Sequence, residues 1–144
     1  MQMDKKKQYP PSKAQVTVEL MIITSLVFII FIGIALVINE KNTQVMEYKR
    51  FLSAKDIADK AAFTINDVAI AGFGASNYYY IPSSLADGTP FTLTIIPKQR
   101  VLVISWQDQR YAAALVTANI GGTLTLSEGR MQVTNRVGKL IIEQ

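Results

Sequence analysis

LMIITSLVFIIFIGIALVI, from Leu20 to Ile38, runs for 19 residues without a charge. Wound as a helix at about 1.5 Å per residue it is roughly 28 Å long, close to the hydrocarbon thickness of a bilayer. Its polar members, Thr24 and Ser25, can bond back to carbonyls of their own helix. A soluble chain of 144 residues forms one modest domain and could not enclose such a segment on all sides. The stretch is therefore read as membrane-inserting. Lysines crowd its N-terminal flank, whereas Asn39-Glu40-Lys41 beyond its C-terminal end carries no net charge. The positive-inside rule then keeps the N-terminus cytoplasmic and places residues after Ile38 outside. A conventional secretory signal fits poorly, because the apolar run is long and Val37-Ile38-Asn39-Glu40 is a poor cleavage site.

Charge is unevenly spread. The chain has 15 Lys and Arg against 11 Asp and Glu, a net charge of +4. Lys5, Lys6, Lys7 and Lys13, against Asp4, supply three of those four charges within a basic leader, residues 1–14. The pI of about 9.4 thus belongs to a tail and not to a nucleic-acid-binding surface. Histidine and cysteine are both absent. Disulfides, the usual zinc sites, cysteine nucleophiles and histidine acid–base chemistry are thereby excluded.

Between leader and apolar run stands Gln15-Val16-Thr17-Val18-Glu19. A carboxylate at the edge of the hydrocarbon is costly unless it finds a partner; an interfacial Glu exposed to headgroups is the plainer reading. Lys13-Ala14-Gln15-Val16-Thr17-Val18-Glu19-Leu20 resembles the class III signal peptides of archaeal type IV pilins. Their pattern is close to Gln-x-Ser-x-Glu followed at once by an apolar helix, with Thr17 here in place of the commoner Ser. The specific part of the resemblance covers about residues 12–38. Gln15 departs from bacterial type IV pilins, which usually begin with Phe. Ala14 and the short chain depart from archaellins, which usually have Gly before the cut and a larger head.

The resemblance implies that a membrane-embedded, pilin-type signal peptidase cuts between Ala14 and Gln15. The apolar segment would stay in the mature protein, as an anchor before assembly and as filament core afterwards. It further implies that Glu19 pairs with an α-amino group freed on Gln15, of the same or a neighbouring subunit. Without a partner, a carboxylate among apolar helices costs of order several kcal/mol. Cyclisation of an N-terminal Gln15 to a neutral lactam would remove that ammonium.

Beyond the apolar run no Pro occurs before Pro82, and Gly33 is the only Gly before Gly72. A helix is therefore permitted from about Val16 to Ala71, roughly 84 Å if unbroken. In its second half Ala54, Ile57, Ala58, Ala61, Ala62, Ile65, Val68 and Ala69 form one stripe. Lys55–Asp59 and Asp56–Lys60 are expected as i,i+4 pairs on the solvated side. Gly72-Phe73-Gly74 reads as a C-cap stop. Residues 75–90 read as a surface loop. Strands follow at 91–96, 101–106 and 111–117, with a final hairpin from residues 131–135 to 140–142, all joined as an antiparallel meander. Leu102, Ile104 and Trp106 are expected to pack on the helix stripe. The fold class is α+β: a leader (1–14), a long N-terminal helix (15–72, membrane or filament-core part 20–38) and a small antiparallel β-rich head (73–144).

Catalytic, metal and cofactor motifs are missing. Asp87 precedes Gly88 and Asp108 lies between strands, so turn chemistry accounts for both. Tyr78-Tyr79-Tyr80 admits an exposed aromatic patch for adhesion or sugar stacking, but tyrosines packing a loop are the preferred reading. No Asn-x-Ser/Thr sequon is present. The resulting expectation is a non-enzymatic, structural subunit of an archaeal type IV pilus-like surface filament, with no cofactor, serving surface adhesion or motility-related attachment. Its partners are other copies of itself or related pilins, the signal peptidase, and the membrane before assembly; the mature form has no nucleic-acid partner. It is anchored with its head outside and then part of an extracellular filament. A single-pass membrane-anchored binding protein and a minor pseudopilin of a secretion or uptake system are the alternatives.

Overall fold

A computed structural model describes residues 13–144, with side chains from Gln15 onward. Residues 1–12, most of the expected leader, lie outside the described residues. One helix, α1, runs Lys13–Ala71, as the absence of Pro and the single Gly33 allow. It stops where the glycines stand: Gly72 and Gly74 have φ of 85° and 84°, a left-handed geometry that costs glycine little.

By compactness the chain divides between Gln44 and Val45. The described residues of the first unit are helix alone. The second unites the rest of α1 with eight strands: β1 Ser76–Ile81, β2 Thr92–Ile96, β3 Val101–Trp106, β4 Gln109–Ala114, β5 Ile120–Gly122, β6 Thr125–Leu126, β7 Gly129–Arg136 and β8 Lys139–Glu143. This is the expected α+β class, a long helix packed on a small, mainly antiparallel β region. The helix stripe and the strands share one core. Ala54, Ala58, Ala61 and Ile65 are fully buried with Leu102 and Ile104, and Val68 and Trp106 are nearly so. Phe51 ties the two sides, its ring 6.4 Å from that of Trp106 and edge-on to Tyr111 at 6.0 Å.

The meander needs correction. Two four-stranded sheets form, ordered β1-β7-β8-β5 and β4-β3-β2-β6. β2, β3 and β4 keep the expected consecutive antiparallel pairing, and β7–β8 is the expected hairpin. The segment expected as loop at 75–90 instead opens with β1, antiparallel to β7 from Ser76↔Thr134 to Ile81↔Gly129. Asn77, Pro82 and the serines around it suggest a turn, but Tyr-Tyr-Tyr-Ile suits a pleated, half-buried surface. β5 pairs parallel to β8, Ile120↔Leu140 to Gly122↔Ile142. Its Gly-Gly carries no strand propensity and is there for space: a Cβ on Gly122 would fall 2.1 Å from the Ile142 carbonyl oxygen. The strand expected at 111–117 ends at Ala114. There the Asn66 side chain takes over, donating to the Ala114 carbonyl (3.1 Å) and accepting from the Val116 N–H (2.9 Å).

Other polar ties hold the head to α1. The buried Asn135 donates to the Val68 carbonyl (3.4 Å) and accepts from the Gly138 N–H (3.1 Å). Tyr111 donates to Asp59 (2.9 Å) and Asn77 to Asp67 (3.1 Å). Arg50 Nε bonds Asp87, and the Ala86 N–H bonds Ser53 (3.1 Å), so the loop between β1 and β2 is fastened to the helix.

Candidate assembly site at the start of the helix

Gln15 and Glu19 lie one turn apart on α1, since residues four apart face the same side. The Gln15 amide Nε2 donates to Glu19 Oε1 at 3.3 Å. The amide supplies a hydrogen bond and no charge, and among the described residues no ion pair involves Glu19. Ala14, the other residue of the expected cleavage site, has its backbone in α1, while its side chain lies outside the described residues. The i,i+4 spacing of Gln15 and Glu19 was the signal for their contact, and sequence reasoning directed at an α-amino partner passed over it.

Immediately beyond begins the apolar run. Between Leu20 and Ile38 every large apolar side chain is 54–68% exposed, which is bareness on all faces and not the one-sided burial of a core helix. Thr24 donates to the Leu20 carbonyl and Ser25 to that of Met21, each at 2.8 Å. Both hydroxyls are thus satisfied within the helix, as a lipid environment requires. The helix is long and apolar enough to cross a membrane.

Elsewhere on α1, Asp56 and Asp59 are engaged as helical spacing suggests. Lys55 Nζ lies 2.6 Å from Asp59, and Lys60 Nζ 2.7 Å from Asp56. Burial pushes the Asp59 carboxyl up, but bonds from Lys55 and Tyr111 outweigh it and leave its pKa below the usual value. Among the described residues no three acidic side chains gather as a metal cage would need. Asp87 is held at a pKa of about 2, chiefly by the Arg50 hydrogen bond and further by the Thr89 hydroxyl and N–H. This carboxylate fastens a loop.

The tyrosines are not where loop packing would put them. Tyr79 packs against the core, but Tyr78 and Tyr80, on the other face of β1, are 63% and 69% exposed. The signal was the alternation itself, legible only once 76–81 is read as a strand.

Comparison of the chain with protein-family models, with curated proteins and with solved structures finds no match in any of the three.

Proposed function

We propose that the chain is a type IV pilin-like subunit. A pilin-type signal peptidase removes residues 1–14, the bare apolar helix anchors the product with its head outside, and subunits then assemble through that helix into a surface filament suited to adhesion. The observation that carries the reading is the junction at Glu19: a carboxylate whose bonded partner among the described residues is an amide, at the mouth of an apolar helix that no described residue covers on any face. An anchor alone tolerates a carboxylate at the interface but does not require one. An assembling helix does, because cutting before Gln15 creates an ammonium within its reach, in the same or a neighbouring subunit.

Mass spectrometry of the native protein tests the cut, with a chain beginning at Gln15 expected. Glu19→Leu should leave insertion and cleavage intact while filament number in electron micrographs falls sharply. If Gln15 is found short of one ammonia, hence cyclised, the effect of Glu19→Leu should be smaller. Surface material that retains Met1 would overturn the reading in favour of a membrane-anchored binding protein. Normal filament number from cleaved Glu19→Leu, with Gln15 uncyclised, would reduce Glu19 to an interfacial residue.

A further inference from the structure

The outward face of the β1–β7 pair combines groups that the core and the helix do not use. On β1 it presents Ser76, Tyr78 and Tyr80; on β7 the facing residues are Thr134, Gln132 and Arg130. Side chains two apart on a strand stand on the same side about 7 Å apart, so the two exposed tyrosines make a short aromatic row. Arg130 lies directly across from Tyr80 and diagonally from Tyr78, with its guanidinium 4.6 Å from the Tyr78 ring centroid. Among the described residues Arg130 forms no ion pair; the cation is held in place by a ring and is free to take an anion. The upper part of the same face is a run of neutral polar groups. Ser76 and Thr134 hydroxyls meet at 3.3 Å, and the Gln132 amide reaches Ser76 at 3.5 Å.

The geometry points to this face as a binding surface for an acidic polysaccharide. Tyr80 offers a ring on which the apolar side of a sugar can lie, as aromatic side chains with one wet edge do at interfaces. Arg130 offers a planar fork for the sugar carboxylate, matched in geometry to that anion. Tyr78 positions Arg130, and the Ser76, Thr134 and Gln132 groups exchange hydrogen bonds with hydroxyls. A single-stranded nucleic acid would also stack on tyrosine, but it brings a phosphate for every base. Among the described residues the β1–β7 pair presents, in Arg130, one cation without an ion pair beside a row of neutral polar partners, a balance that suits a hydroxyl-rich chain with sparser charge. Next to it Arg136 is already engaged by Glu143 at 3.7 Å. The inference goes beyond the filament reading, since the face lies on the sheet and involves neither Glu19 nor the apolar helix.

The test uses the full chain in non-ionic detergent micelles, with soluble polygalacturonate as probe and dextran as its neutral counterpart, read by calorimetry. Binding of polygalacturonate without binding of dextran is expected. Tyr80→Ala and Arg130→Gln should each weaken it at least tenfold, Tyr78→Ala less, and Tyr80→Phe should restore most of the loss. Leader lysines attract any polyanion, so a Lys5→Gln, Lys6→Gln, Lys7→Gln variant must keep the Tyr80-dependent part. Circular dichroism of each variant confirms that the sheet is intact. Absence of Tyr80-dependent binding, equal binding of dextran, or tighter Tyr80-dependent binding of oligothymidylate would overturn the proposal. A Tyr80→Ala chain that loses filaments and shows no glycan effect would do the same, by making the face a contact between subunits. Filament number in the Tyr80→Ala chain and in the Glu19→Leu chain keeps failure here separate from failure of the filament reading.

Discussion

Val137 is 87% exposed and has a φ of 53°, followed by Gly138 at 76°. These two residues alone connect β7 to β8. Positive φ at both is the type I′ turn, whose twist matches a hairpin, and its first position favours Asn or Asp. A β-branched side chain there is strained, and its exposure means it gains nothing from packing. Val137→Asn should therefore stabilise the protein by about 1 kcal/mol. Urea unfolding checks this, and an unchanged or lower midpoint would contradict the strain argument. The hairpin itself is legible in the sequence from the apolar alternation on either side of Arg136-Val137-Gly138. Its turn geometry is not, because a backbone angle forced by the register of long strands overrides what the residue prefers. Glu19 poses the opposite case: the residue is conspicuous in sequence, and only the helix geometry shows that Gln15 is its first hydrogen-bond donor.

At the level of elements, α1 is divided by what surrounds it. Its second half meets the sheets through Ala54, Ala58 and Ala61, all fully buried, small side chains that let the backbone approach the strands closely. Ala61→Leu should overpack that contact and cost roughly 1–3 kcal/mol. Phe63→Ser, on the outer side at 70% exposure, should change stability by less than about 0.5 kcal/mol. Equal effects would mean that the stripe does not set the packing. The stripe was readable because a 3.6-residue period repeats over about four turns, from Ala54 to Ala69. β1 and β5 were not, since one hides among turn-forming residues and the other is placed by glycine at a close approach. The loop between β1 and β2 adds a pH dependence. Asp87 titrates near 2 when folded, against 3.8 ordinarily. Its bond to Arg50 thus contributes fully above about pH 4 and fades as pH falls toward 2. Thermal midpoints of the wild type and Asp87→Asn should differ at pH 6, and the gap should narrow steadily as pH falls from about 4 through 2. A gap of the same size at pH 2 as at pH 6 would show that the carboxylate's charge is not what holds the loop.

Across the whole molecule, the two halves of α1 answer to different solvents, and the core is confined to one of them. Among the described residues every buried apolar side chain lies between Ala54 and Ile142, and the buried polar ones, Thr64, Thr89 and Asn135, lie in that interval too. Each of these is bonded within it: Thr64 to the Lys60 carbonyl, Thr89 to Asp87, Asn135 to Val68. Among the described residues, removing those before Val45 therefore takes away no buried side chain, while it removes the large exposed apolar surface of the membrane-length run, the kind of patch that drives aggregation in water. A Val45–Gln144 fragment should be soluble and folded, with far-ultraviolet circular dichroism showing both helix and strand, and should unfold in one cooperative transition. Val45 and Tyr48, which are more than a third exposed, belong to the first turn of the shortened helix and should fray without cost to the core, while Arg50 and Phe51 hold the helix from there on. Hydrogen exchange would then show protection beginning near Ala54 and continuing through β8. An unfolded or aggregated fragment would mean that the sheets need something from outside the interval, such as a strand supplied by a neighbouring chain, and the core described above would not be sufficient to hold itself together.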